Sequence, residues 1–154
     1  MSTLMSSINL DVPVQTAYNQ WTQFEEFPKF MDGIESVTQI DDVTLRWVAK
    51  IDGVQREWTS EIVEQKPDDI IAWINHEGPN TAGSVKFEPS ASGGCKVEVT
   101  MKYDPDTFTE KAAETLGIIQ RRLDGDLRRF KDFIEERGRE TGAWRGEVHT
   151  AQVE

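Results

Sequence analysis

"CKVEVTMKYDPDTFTEKAAETLGIIQRRLDGDLRRFKDFIEERG", residues 95–138, changes its hydrophobic period partway along. From Cys95 to Tyr103 apolar and polar residues alternate. Cys95, Val97, Val99, Met101 and Tyr103 share one face, and Lys96, Glu98, Thr100 and Lys102 share the other. Period two with one charged face marks a strand of an antiparallel sheet with one wet side. Past Asp104-Pro105-Asp106 the period becomes helical for about thirty residues. Ala112, Leu116, Ile119, Leu123, Leu127, Phe130 and Ile134 then form one apolar stripe. Thr107 with Glu110 fits a capping box at its start, and Gly138 and Gly142 close it.

Upstream, residues 34–103 contain five further strand-like runs: "IESVTQI", "TLRWVAKI", "VQREWTSEIVEQ", "IIAWINHE" and "GSVKFEP". Turn chemistry separates them, most plainly Asp52-Gly53 between two β-rich runs. Residues 4–10, "LMSSINL", read as a first strand. In "DVPVQTAYNQW" Pro13 suits a first helical turn with Asp11 or Val12 as cap, and Val14, Ala17, Tyr18 and Trp21 form one helical face. "FEEFPKFM" then crowds Phe24, Phe27, Phe30 and Met31 around Pro28, which breaks regular structure and predicts a second short helical piece after a bend.

The expected fold is therefore α+β: a seven-stranded curved antiparallel sheet wrapped around a long C-terminal helix, with two short helices between strands 1 and 2. The long helix must cover the sheet's dry face, and a cavity between them is plugged at one end by the phenylalanine segment. Residues 1–140 are expected to form a single ligand-binding domain and residues 141–154 a flexible C-terminal tail.

Seventeen Lys and Arg against 28 Asp and Glu give the 154-residue chain a net charge of −11. So acidic a chain repels phosphate, which argues against nucleic acid as a partner. The basic residues of "RRLDGDLRRFKDF" are interrupted by acids and read as a solvated helix face. One cysteine, Cys95, excludes an internal disulfide and a Cys-rich zinc site, and its strand register makes it a small buried hydrophobe. No apolar run is long enough to span a membrane and the start lacks the basic region of a signal peptide, so the cytoplasm is the expected compartment.

Groups for catalysis are few. His76 and His149 are the only histidines, no ligand spacing for a metal appears, and phosphate-cradling, dinucleotide and nucleophile-elbow motifs are absent. No metal and no cofactor are expected. His76 reads as an exposed residue at a strand end. If Trp58 faces inward, alternation brings Arg56, Ser60 and Ile62 to the same face. Arg56 is then the candidate for fixing a ligand carbonyl or carboxylate, unless it lies at the rim and reaches water. Trp47, Trp58 and Trp73, on consecutive strands, would build an aromatic wall if in register. Asn75 and Tyr103 supply polar contacts, so the weak catalytic candidates are Arg56, Asn75 and Tyr103. The ligand-binding candidates are Phe24, Phe27, Phe30, Met31, Trp47, Arg56, Trp58, Trp73, Phe87 and Met101.

Several stretches in this order resemble one family: "WTQFEEFPKFM" at 21–31, "LRW" at 45–47, "GVQREW" at 53–58, "AW" at 72–73, "GPNTAGSVKF" at 78–87 and "DLRRFKDFIE" at 126–135. Over residues 4–137 the chain is similar to the START-like helix-grip (SRPBCC) superfamily, and more closely to the small bacterial proteins called polyketide cyclase/dehydrase. The resemblance implies the helix-grip fold and a cavity for an apolar ligand such as a lipid, quinone or aromatic polyketide. It implies function loosely, because fold does not fix chemistry. Three readings stay open. The first is binding or transport of a small hydrophobic molecule, with the chain a monomer or weak homodimer. The second is a polyketide cyclase or dehydratase, for which the sequence offers no clear general base. The third is a protein partner held by the tail or the long helix.

Overall fold

The computed structural model describes residues 2–51, 53–77, 80–103 and 112–149. The elements are β1 (Ser2–Leu10), α1 (Val14–Trp21), a 3-10 segment (Phe24–Lys29), β2 (Ile34–Gln39), β3 (Thr44–Ile51), β4 (Val54–Lys66), β5 (Ile70–Asn75), β6 (Asn80–Pro89), β7 (Cys95–Tyr103), α2 (Ala112–Arg137) and β8 (Val148–His149). The sheet runs β1-β7-β6-β5-β4-β3-β2 with every pairing antiparallel, and β8 adds to β4. This is the sheet-and-long-helix arrangement expected from the two hydrophobic periods. Around Pro28 the chain forms 3-10 turns rather than a second α-helix, because proline removes a backbone donor. Pro13 is the N-cap of α1, with extended backbone angles, not a member of its first turn. The residues of the expected capping box, Thr107 and Glu110, lie outside the described residues, as does Asp52.

Cys95, Val97, Val99 and Tyr103 turn inward and are buried, as their alternation requires. Across from them α2 buries Leu127, Phe130 and Ile134. Each such side chain contributes about 1.5–3 kcal/mol on burial. The helix stops at Gly138, whose φ of 75° a side chain would strain and whose N–H closes on the Ile134 carbonyl at 2.9 Å.

A second face of α2 seals β1, a terminal strand of the sheet path. Gln120 Nε2 donates to the Met5 carbonyl at 2.9 Å, and Lys131 Nζ donates to the Asn9 carbonyl at 3.2 Å. Asp11 N–H donates to Glu135 Oε2 at 2.8 Å, and Ser6 Oγ–H to Asp124 Oδ1 at 2.5 Å. Two β1 carbonyls that would otherwise be open to another strand are thereby satisfied.

Of the expected loose tail, residues 150–154 lie outside the described residues and residues 141–149 are not loose. Residues 141–149 pack on α1 and the sheet. Thr141 N–H donates to Gln20 Oε1 at 2.8 Å while Gln20 Nε2 donates to Thr141 Oγ1 at 3.1 Å. Trp144 N–H reaches Thr22 Oγ1 at 3.0 Å, and Val148 pairs with Gln65. Arg145 bridges Asn19 at 2.6 Å and Asp68 at 2.7 Å, over the Tyr18 ring. Gln20, Thr22 and Gln65 are buried polar side chains, and the tail supplies partners to the first two. Asp68 sits at φ 64° in the β4–β5 turn, an unusual conformation for a residue with a side chain. Its carboxylate is the anchor for Arg145.

Candidate functional site

Burial divides the space between sheet and α2 into two halves. The half beneath α1 is full. Tyr18, Trp21, Phe27, Phe87, Cys95, Val97, Phe130 and Ile134 are all buried there. Trp21 is the hub, with ring centroids 5.5 Å from Phe27, 6.2 Å from Phe87 and 5.0 Å from Phe130, all edge-to-face. Toward the N-terminal half of α2, side chains of the same inner layer become half-exposed: Trp47, Trp73, Met101 and Leu123 pack against the core on one side only. Trp58 and Asn75 join them at the same intermediate exposure. This half-open end is the candidate site.

Its walls follow from register. Trp47 and Trp58 are directly paired partners on β3 and β4, and their rings stack at 5.7 Å with only 6° between planes. Trp47 also touches Phe27 at 5.8 Å, which joins this wall to the filled half. Trp73 does not extend the wall. It lies opposite Ile62 and Gly83, while its neighbour along the strand, Asn75, lies opposite Ser60. The Trp73 indole instead lies across Gly83, where an added Cβ would sit 2.5 Å from a ring carbon. The expected three-tryptophan wall is thus a stacked pair plus one separate indole. The bulge between Ile62 and Glu64 shifts the alternation, so Val63 is buried beside Ile62 and Gln65 turns inward.

Polar groups on the inner wall are few. Ser60 is 1% exposed, and its hydroxyl meets Asn75 Oδ1. Tyr103 is buried on the same layer as Met101, and desolvation pushes its phenol up to about 12. Trp47 Nε1 is buried without a partner among the described residues. Asp124, a half-buried carboxylate on α2, is turned to the β1 seam, where Ser6 and Gln120 take Oδ1. Burial also raises the Cys95 thiol to about 11.

Among the residues singled out from sequence, Phe24, Phe27, Phe30 and Phe87 are core rather than an open lid, each 5% exposed or less. Phe27 and Phe30 nonetheless form the boundary between core and site, through Trp47 and through Phe130. Met31 lines an outer cleft of about 480 Å³ with Pro28, Ile34, Lys50 and Arg129. α2 pins this loop: Arg129 Nε donates to the Phe30 carbonyl at 2.9 Å, and Asp126 Oδ1 accepts the Asp32 N–H at 3.1 Å. Arg56 lies at the rim, the second of the two placements the sequence left open. It pairs with Ala49 near the β3–β4 tip and is exposed, with no ion pair among the described residues. His76 is exposed beside Glu61 at 3.2 Å on the wet face, and His149 beside Glu147 at 3.0 Å in the tail. No cluster of three or more His, Cys, Asp or Glu that would hold a metal occurs among the described residues. Among the described residues no helix is long and apolar enough to cross a membrane.

Ser60 is the site residue that sequence reading did not single out. Its only signal was parity with Trp58, since a serine in a strand carries no chemistry until its neighbour is known.

The chain belongs to the family described as polyketide cyclase / dehydrase and lipid transport, which it matches over residues 10–132. An uncharacterised 17.2 kDa protein of Streptomyces lincolnensis is 49% identical over 149 residues, covering 96% of this chain and 99% of that protein. Among solved structures, TTHA0849 from Thermus thermophilus superposes with a TM-score of 0.73 at 17% identity, covering 88% of this chain and 99% of that one. The di-domain ARO/CYC BexL from the BE-7585A biosynthetic pathway gives 0.69 at 18% identity, covering 88% of this chain and 47% of that one. These likenesses place the fold among the START-like helix-grip proteins.

Proposed function

We propose that the protein binds a small hydrophobic molecule in the half-open end of the helix-grip interior and holds or carries it. One observation bears most of the weight: inner-layer side chains are sealed beneath α1 and half-exposed at Trp47, Trp58, Trp73, Met101 and Leu123. An apolar surface that is only half-covered gains about 25 cal/mol for each Å² that a ligand removes from water. The family description, which includes lipid transport, supports the same reading. The cytoplasm is the setting we propose. A monomer is the assembly we favour over a weak homodimer, because α2 occupies the Met5 and Asn9 carbonyls of the terminal strand β1.

A cyclase or dehydratase acting on a polyketide-like substrate is the second reading, favoured by the family and by Asn75 and Tyr103 on the inner wall. Neither group is a base near neutral pH, so catalysis would rest on folding the substrate and polarising its oxygens.

The test is a titration with N-phenyl-1-naphthylamine, a neutral apolar fluorophore. The expected result is saturable enhancement with one site per chain, abolished by filling the interior with Leu123→Trp while the circular dichroism spectrum stays native. Fluorescence rising linearly without saturation, or unaffected by the filling variant, would contradict the reading.

A further inference from the structure

We propose that the buried polar cluster of Tyr18, Gln65 and Asp68 is a binding site for one ordered water molecule, and that this water fastens the C-terminal strap, residues 140–149, to α1 and the sheet. The site belongs to the filled half beneath α1 and is independent of the ligand-binding reading.

Four polar atoms of three side chains are sealed from solvent with no hydrogen-bond partner among the described residues: the Tyr18 hydroxyl, both ends of the Gln65 amide and Asp68 Oδ1. Tyr18 is 0% exposed and Gln65 1%. The three side chains are neighbours. Burial raises the pKa of the Tyr18 phenol, and the next influences on it are Gln65, Arg145 and Asp68, which sets these groups around its hydroxyl. Arg145 holds Asp68 Oδ2 at 2.7 Å and lies over the Tyr18 ring, so Oδ1 is the carboxylate oxygen left over. Buried polar atoms in folded proteins are almost always paired, so four orphans in one neighbourhood call for a shared partner.

The side chains are held too firmly to pair by moving together. Gln65 is pinned on both sides of β4, opposite Ile71 on β5 and Val148 on β8. The Tyr18 ring is fixed edge-to-face against Phe87 at 5.2 Å, with Arg145 on its face. Asp68 is set by its φ of 64° and by Arg145. Gln65 stands close enough to lower the Tyr18 pKa, although no hydrogen-bond geometry joins the pair. Near but not bonded is the spacing that a bridging molecule fills.

The chemistry of the orphans selects that molecule. Tyr18 O–H and Gln65 Nε2 donate, while Gln65 Oε1 and Asp68 Oδ1 only accept. A metal ion could serve the acceptors but not the donors, and it would face the Arg145 guanidinium across the same carboxylate. An anion would meet Asp68. Water alone does both. It accepts from Tyr18 O–H and donates to Gln65 Oε1 and Asp68 Oδ1, the three bonds that a buried water usually makes. Gln65 Nε2 is then left facing Tyr18 Oη. Through this water Asp68, the anchor of Arg145, is tied to α1 and to β4, so the strap is held from beneath as well as by its own bonds.

A crystal structure of the full chain at atomic resolution tests the site. The expected result is one density peak at about 2.6–3.2 Å from Tyr18 Oη, Gln65 Oε1 and Asp68 Oδ1. Tyr18 Oη bonded directly to Gln65 or Asp68 with nothing between them would overturn the proposal. So would a peak with the short, many-oxygen coordination of a cation. Hydrogen exchange read by mass spectrometry tests the fastening. In Tyr18→Phe, which keeps the ring and removes the donor, the strap amides should exchange about three- to tenfold faster, one net hydrogen bond's worth, while those of β7 stay unchanged. Gln65→Met should do the same, and adding Tyr18→Phe to it should cost little more, because the two side chains act through one molecule. Unchanged exchange of the strap in both variants, equal acceleration of strap and β7, or additive effects would each overturn the proposal.

Discussion

Ending the chain after Arg139 removes the strap that crosses α1, and its cost can be worked from the contacts. The reference is a chain ending at His149. Truncation deletes both bonds of the Gln20–Thr141 pair and the bond from Trp144 N–H to Thr22. At about 0.5–1.5 kcal/mol net for each bond, these are worth roughly 1.5–4.5 kcal/mol. The Arg145–Asp68 ion pair, with side chains 39% and 26% exposed, adds at most about 1 kcal/mol. A loss of about 2–5 kcal/mol should lower Tm by roughly 5–15 °C in a domain of this size. Thermal unfolding followed by far-ultraviolet circular dichroism measures it. The sharper assay is a double-mutant cycle with Gln20→Leu. In the reference chain that change breaks a reciprocal pair and should cost about 1–3 kcal/mol. In the truncated chain the Gln20 amide has already lost the partners that Thr141 supplies, so leucine there should cost almost nothing. A Tm within 2 °C of the reference after truncation, or additive costs in the cycle, would refute the strap.

Gly83→Ala places a methyl group 2.5 Å from the Trp73 ring, so the indole must swing into the half-open end. Near-ultraviolet circular dichroism should change and stability should fall by about 1–3 kcal/mol, whereas an unchanged spectrum would put Trp73 elsewhere. Tyr103 has its pKa raised from 10.0 to about 12 in the folded chain. A raised value means that the stability at stake is fully present below the unfolded pKa and is lost as pH climbs through the folded one. Stability should therefore be unaffected by this group up to about pH 10 and fall by roughly 2–3 kcal/mol toward pH 12. Tyr103→Phe should flatten that alkaline limb in urea titrations at each pH, and an equally steep limb in the variant would count against it. Cys95 is buried and its thiol is raised to about 11, so Ellman's reagent at pH 8 should react at the rate of global unfolding. Immediate labelling would mean that β7 opens locally.

Period carried most of the fold. Alternation through residues 95–103 placed Cys95, Val97 and Val99 correctly in the core, and the stripe through Leu127, Phe130 and Ile134 identified the face that α2 buries. Gly138 marked the helix end because a left-handed turn favours glycine. What could not be read depends on register between strands distant in sequence. The bulge at Ile62–Glu64 adds a residue to β4, and no local signal in "EIVEQ" announces it, so the buried place of Gln65 was hidden. Register also separates Trp73 from the Trp47–Trp58 pair, since Trp73 lies opposite Ile62 and not opposite Trp58. For Arg56 parity left both the inner face and the rim open, because parity says nothing about depth, and this end of β4 is exposed. The strap was hidden for a different reason. Asn19, Gln20 and Thr22 are polar and belong to no apolar stripe, although residues 140–145 supply all three with partners. Polar surfaces that bury one another carry no hydrophobic period.

The central claim is that the half-open interior receives a small apolar molecule. Native mass spectrometry of the protein purified gently from its own cells tests it most directly, followed by solvent extraction of whatever accompanies it. The account predicts one small apolar molecule per chain, and its loss in Leu123→Trp. A chain that carries no such molecule, and that takes up none of the neutral apolar probes offered to it, would contradict the account.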